Sequence, residues 1–511
     1  MTERIIRVFR DVDRWFWFAA LTALTISVFL WWNYYCISVD GVRYVEAARN
    51  FYNGNVMAGL ASVYPPGYPL LIALFYNFVN DWERAGQAVS VIARLLLLFP
   101  LYGLLRRVYS KSVAVVGCFL AALSPFLSMY SVHVRTESLF LFFAVFALYM
   151  FYRGMEERRT AHFFLGGLLS GFGYLVRPEA FGFVILIPSF LLLMWWIQKR
   201  WDFAWTVRAS LLLVAGFLLF GAPYIAYLSH ETGEWGTLSR KAGVTLAVSL
   251  REVGLLDEVA EDFPTRESIS LPEFIKRQPW VYTKKVLGDI VPSIGIYFEA
   301  LHYSYVPFLL LGIAGVFRAP PWRRKDFLLL AYLVFFIAAF VAIYVNRRYL
   351  VQLVPVSMGW TAVGALWIWH WAKTNWSERS ATAVCAALGV IFLIGTLPKT
   401  LKPVAKDKAH FKEAGRYVRQ RHGSGNLNVL ASDNRIAFYA GAQTIRLRDY
   451  SSESDVAAQA QQRNASFLVA DLRVLKTRFP DFLQSPERYG FRFEKEFVGY
   501  EKDRVFVYRA T

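Results

Sequence analysis

Apolar runs of about 20 residues recur along this chain, and that length is what a helix needs to cross the hydrocarbon of a bilayer. Inside that layer each backbone N–H and C=O must find its partner within its own segment, so such runs fold as helices. Candidate spans lie near residues 15–37, 85–105, 113–130, 139–152, 162–176, 180–197, 207–228, 303–317, 327–345, 349–371 and 381–397, about eleven in all. Hydrophobic residues fill 56% of the 511 positions, more than a soluble chain of this size carries. The expected class is an α-helical polytopic membrane protein.

The loops sort by charge. With the N-terminal segment inside, bearing Arg4, Arg7, Arg10 and Arg14, loops 106–112, 153–161, 198–206, 318–326 and 372–380 are inside too, and each is basic. They hold Arg106, Arg107 and Lys111; Arg153, Arg158 and Arg159; Lys199 and Arg200; Arg318, Arg323, Arg324 and Lys325; Lys373 and Arg379. Short cytoplasmic loops collect Lys and Arg in this way, which predicts a multi-pass protein of the cytoplasmic (inner) membrane with its N-terminus inside. The net charge of +18 is thereby explained by orientation and anionic headgroups, so membrane lipids and not nucleic acid are the expected partners. The first span is long and Trp-rich and lacks a small-residue cleavage site, so it reads as a retained anchor. Cys36, Cys118 and Cys385 lie in or beside apolar runs and build neither a disulfide framework nor a zinc site.

Three long pieces fall on the outer side. Loop 38–84 opens with an amphipathic stretch at 40–52, then the turn Tyr64-Pro65-Pro66-Gly67-Tyr68-Pro69 and a short apolar helix through Phe78. Loop 229–297 is polar and helix-like in places, punctuated by Pro264, Pro272, Pro279 and Pro292. The tail after Pro398 alternates a helix at 408–421 closed by Gly423, strands at 428–431 and 444–447, a helix at 453–463, a strand at 466–470, and an extended pair at 491–498 and 504–508. Alternation of this kind predicts a small α/β extracytoplasmic domain at 399–511, beside a transmembrane domain at 1–398.

Charges at the edge of hydrocarbon are expensive, and Asp40, Arg43, Glu137, Arg177, Arg347 and Arg348 all fall on that outer side. Arg43 and Tyr44 follow Asp40 at i+3 and i+4, so one helix face can present a carboxylate, a guanidinium and a phenol. Asp40 can equally be a helix N-cap. Arg177 has Glu179 nearby as a counterion; Arg347 and Arg348 can simply snorkel to the headgroups; Glu137 can serve a helix dipole. His133 stands one turn before Glu137.

An acid beyond the first span, an Arg-Tyr pair close after it and then Pro65-Pro66-Gly67-Tyr68-Pro69-Leu70 resemble membrane glycosyltransferases of the GT-C fold, among them the protein O-mannosyltransferases and the aminoarabinose transferase of lipid A. Arg135-Thr136-Glu137-Ser138-Leu139-Phe140, Leu175-Val176-Arg177-Pro178-Glu179 and Arg347-Arg348-Tyr349-Leu350 with Pro355 fit the same order, and the likeness covers about the first 400 residues. The resemblance implies inverting transfer of a sugar, hexosyl or pentosyl, from a polyprenyl-phosphate donor to a hydroxyl on a lipid, glycan or protein acceptor. It assigns Asp40 as general base and Glu137 as a supporting catalytic residue. Arg43, Arg177, Arg347 and Arg348 become donor-phosphate ligands, and Tyr44, Tyr64 and His133 substrate contacts. Aminoarabinose transferases carry an acid and a lysine before the two prolines, where this chain has Val63 and Tyr64; a divalent metal is therefore not supported by the sequence, and no other cofactor is expected. A lipid-linked glycan transporter or flippase and a noncatalytic membrane assembly protein are the alternatives, although transporters usually carry paired repeats and midplane polar residues.

Overall fold

The computed structural model describes residues 14–199, 201–256, 269–314, 320, 323–423, 427–500 and 503–511. Arg4, Arg7, Arg10, Arg200 and Arg318, and part of loop 229–297, lie outside them.

The described residues are mostly helical. Seven helices are long and apolar enough to cross a membrane: Arg14–Trp32, Trp82–Val108, Glu137–Glu157, Pro178–Gln198, Phe203–Thr232, Arg347–Asn375 and Glu378–Thr400. Two bent pairs raise the number to nine, Lys111–Leu123 with Pro125–Val132 at 59° and Pro279–Leu301 with Tyr303–Ala314 at 90°. The difference from about eleven lies in two expected spans that are helical but short, Ala161–Val176 and Phe327–Ile343. At 1.5 Å per residue the former reaches about 24 Å, less than the usual hydrocarbon thickness. One expected loop is also helix: Pro279–Leu301 runs 23 residues, because Pro279 occupies its first turn, where no N–H is needed, and Pro292 is absorbed inside it.

By contact the described residues form two compact units, one drawn from residues 14–28, 47–132 and 136–401, the other from residues 29–46, 133–135 and 402–511. In the first, glycines let helices touch backbone to backbone. A Cβ on Gly312 would lie 1.9 Å from the Trp360 carbonyl oxygen, and one on Gly364 1.9 Å from that of Phe308, so Val306–Ala314 and Val354–Asn375 meet with nothing between them. Gly167 against Leu213 and Gly216 against Phe164 make a like seam between Ala161–Val176 and Phe203–Thr232. Small residues of this kind hold helices together where lipid removes the hydrophobic incentive.

The second unit contains a five-stranded sheet of β1 (Asn428–Ala431), β2 (Gln443–Arg446), β3 (Ala465–Asp471), β4 (Phe491–Val498) and β5 (Arg504–Ala510), in the order β2-β1-β3-β5-β4. β1 runs parallel to β2 and β3, while β5 is antiparallel to β3 and β4. The parallel half follows from helical crossovers at Asn434–Ala440 and Glu453–Gln462, since parallel neighbours cannot be joined by a tight turn. Leu430, Leu468, Val456, Phe479, Phe482 and Tyr508 belong to its apolar core.

Candidate active site

Glu137 is the first residue of Glu137–Glu157, where the helix dipole favours an anion, yet its side chain is only 2% exposed. Such burial requires cations. Arg348 supplies one, its Nε donating to Glu137 Oε1 from the short helix Arg347–Leu350, which Asn346 caps by accepting the Arg348 N–H at 2.9 Å. Arg177 supplies the second, with Nη1 3.5 Å from the same oxygen. It sits where Ala161–Val176 stops, because the residue before Pro178 is pushed out of the helical region, here to φ −150°, ψ 133°.

Arg177 also donates to Glu179 Oε1, from Nη2 at 2.7 Å and Nε at 3.2 Å, and its guanidinium lies 5.1 Å from the Tyr349 ring centroid and 5.5 Å from that of Phe140. Arg177 and Arg348 therefore link Glu137 and Glu179 in one largely buried network of opposite charges. The counterion expected in Glu179 is present, and the convergence of Glu137, Arg177 and Arg348 joins three separate stretches of chain.

Arg347 departs from its neighbour. It pairs with Glu299 and stacks 4.6 Å from the Phe126 ring centroid. Glu299 was not among the expected site residues; it lies on the helix that the prolines disguised as a loop.

Tyr64 is buried, with Lys241 Nζ 4.7 Å from its ring centroid. The following turn presses against the Arg177 segment, for a Cβ on Gly67 would fall 2.7 Å from the Leu175 carbonyl oxygen. A glycine is needed there for close approach. Tyr68 fixes the turn from its other side, donating to the Gly86 carbonyl at 2.9 Å.

In the second unit, Asp40 is the second residue of Val39–Tyr52. The capping bond comes from Ser38, whose Oγ accepts the Gly41 N–H at 3.0 Å, so the N-cap role weighed for Asp40 belongs to Ser38. Asp40 and Arg43 are half-buried, and Tyr44 is 2% exposed. A Cβ on Gly41 would stand 3.0 Å from the Val134 carbonyl oxygen, and the His133 ring meets Tyr34 edge-on at 5.7 Å, so residues 133–135 pack against the start of the Asp40 helix. Among the described residues no group of three or more His, Cys, Asp or Glu stands where it could hold a metal ion.

Residues 63–220 match the family described as dolichyl-phosphate-mannose-protein mannosyltransferase. The oligosaccharyltransferase of Archaeoglobus fulgidus in its apo form has a similar fold, with a TM-score of 0.56 at 14% identity over 90% of this chain and 70% of that one. The same organism's AglB in complex with an inhibitory peptide and a dolichol-phosphate matches at 0.53 and 14%, over 96% and 74%. ArnT from Cupriavidus metallidurans bound to undecaprenyl phosphate matches at 0.55 and 13%, over 96% and 97%. No curated protein matches the chain in sequence.

Fold and family match together define a class: a multi-pass membrane protein with the GT-C fold. The expected resemblance holds: the chain shares the GT-C fold of these glycosyltransferases, residues 63–220 match the mannosyltransferase family, and a small five-stranded sheet lies near its C-terminus.

Proposed function

We propose that this protein moves a sugar, with inversion, from a polyprenyl-phosphate donor to a hydroxyl on a lipid, glycan or protein acceptor, at the outer face of the cytoplasmic membrane. The N-terminus lies inside and the α/β domain outside, as the basic loops argue. The observation that carries the reading is the pair of arginines converging on buried Glu137. Two guanidiniums held at the edge of a membrane span are expensive, and a departing lipid phosphate is an anion that rewards them.

In this reading Asp40 accepts the acceptor's hydroxyl proton as the oxygen attacks the anomeric carbon, and the bond to the lipid phosphate breaks on the opposite face. Arg177 and Arg348 stabilise the phosphate that leaves, with Arg43 and Arg347 as further ligands. A guanidinium has five N–H donors, so one that is oriented by a carboxylate can still grip phosphate oxygens. Glu137 supports catalysis by holding the two forks, and Tyr44, Tyr64 and His133 serve the substrates. Likeness to proteins bound to dolichol-phosphate and undecaprenyl phosphate supports the choice of donor, and the mannosyltransferase match favours a hexose.

The test supplies purified protein with a panel of radiolabelled polyprenyl-phosphate sugars and cell extract, and compares Asp40→Asn. Label should move to one acceptor class with the native chain alone, while donor binding persists in the variant. Undiminished transfer by Asp40→Asn would remove the proposed base, and failure of every lipid-linked sugar would remove the donor class.

A further inference from the structure

Between Trp32, where the first span ends, and Val39, where the Asp40 helix begins, the chain is mostly buried, and three of its backbone hydrogen bonds join it to the residues after 402. The Val404 N–H donates to the Asn33 carbonyl at 2.9 Å, and the Tyr35 N–H donates to the Val404 carbonyl at 3.0 Å. The Ile37 N–H donates to the hydroxyl of Tyr439 at 2.6 Å, although the two are 402 residues apart. Tyr439 lies on Asn434–Ala440, the crossover between β1 and β2, with Lys412 Nζ 4.7 Å from its ring centroid. Ile37 is fully buried and Tyr439 is 8% exposed.

We infer that Tyr439 is a positioning residue for Asp40, so that the α/β domain sets the register of the catalytic helix. The inference rests on the reading of Asp40 as the proton acceptor. Ile37 lies three residues before Asp40, with Ser38 capping the helix between them. Deleting the hydroxyl strands a buried N–H, and the segment must move to satisfy it. A displacement of about 1 Å costs on the order of a hundredfold in rate, because a base must sit within hydrogen-bond reach of its proton.

The experiment compares the full-length native protein with Tyr439→Phe, Asp40→Asn and the double variant, and uses Tyr489→Phe as a control that deletes a tail hydroxyl bonded to Asp481. Tyr439→Phe should lower kcat by about tenfold to a hundredfold, leave the donor KM within about twofold, and speed hydrogen exchange of the Ile37 amide. The double variant should be no slower than Asp40→Asn, since the hydroxyl acts through that carboxylate. Tyr489→Phe should leave kcat unchanged. An unchanged kcat in Tyr439→Phe beside a faster-exchanging Ile37 amide overturns the inference, and so does a loss that adds to that of Asp40→Asn or that falls on KM. Full activity in Asp40→Asn overturns the base reading itself, an outcome the other arms do not mimic.

Discussion

Lys285 donates to the carbonyl of Ile343 at 2.9 Å, closing the C-terminus of Phe327–Ile343 from the side of another helix. Its ammonium also takes the Val341 carbonyl at 2.7 Å and Asp289 at 3.1 Å, and the side chain is fully buried. Two carbonyls accept from the ammonium and one carboxylate lies in ion-pair range, so the charge is compensated in place. Lys285→Met should therefore destabilise the protein by about 3–5 kcal/mol, because it leaves Asp289 buried without its cation. Pairing it with Asp289→Leu should recover much of the loss, as read by thermal melting in detergent.

Arg348→Lys tests whether a planar fork is required. A lysine keeps the charge but cannot span Glu137 and a phosphate in one plane. The donor KM should rise by about 10- to 100-fold, the equivalent of one charged hydrogen bond, while Arg107→Lys, whose partners are Glu156 and Glu157, leaves it unchanged. Equal effects from the two would remove Arg348 from the site.

A methyl group at the helix seam should be felt at once. Gly364→Ala places a carbon against the Phe308 carbonyl, and the cost should be about 1–3 kcal/mol in unfolding assays. Gly389→Ala, in Glu378–Thr400 with nothing within 4 Å, should instead be neutral or stabilising by up to about 1 kcal/mol.

His410 should make the α/β domain sensitive to acid. Burial first, then the Lys408 ammonium, hold its imidazole below the ordinary value, although Asp503 and Asp407 pull the other way and Arg435 adds to the depression. A depressed histidine keeps the folded state neutral, so its contribution is intact above the unfolded pKa of about 6.5 and is lost as pH falls below it. Melting temperature should drop between about pH 7.5 and 5.5, and His410→Gln should flatten that drop. Gly499 supplies the room, since a Cβ there would lie 2.2 Å from His410 Nδ1.

Much of this architecture was legible because period and length carry it. Strands β1, β3, β4 and β5 and the helices Ala409–His422 and Glu453–Gln462 lie where alternation predicted them, within a residue or two. Asn434–Ala440 escaped notice because seven residues between two strands hold too little helical period to register. Pro279 and Pro292 made Pro279–Leu301 look like part of a polar loop, and only the partners at Val341 and Ile343 explain the buried charge of Lys285 within it. At the site, Glu179 was readable because it neighbours Arg177. The bond between Glu137 and Arg348 spans 211 residues, and that between Arg347 and Glu299 spans 48, so no local pattern announces either.

The glycine seams have a consequence for motion. Where carbonyls of one helix touch the spine of the next, neither can slide or roll without collision, which fuses each pair into a single strut. Any rearrangement of these helices must then come from stretches that lack such seams, and the bent joint at His302 is one place where the chain has already given up a straight course.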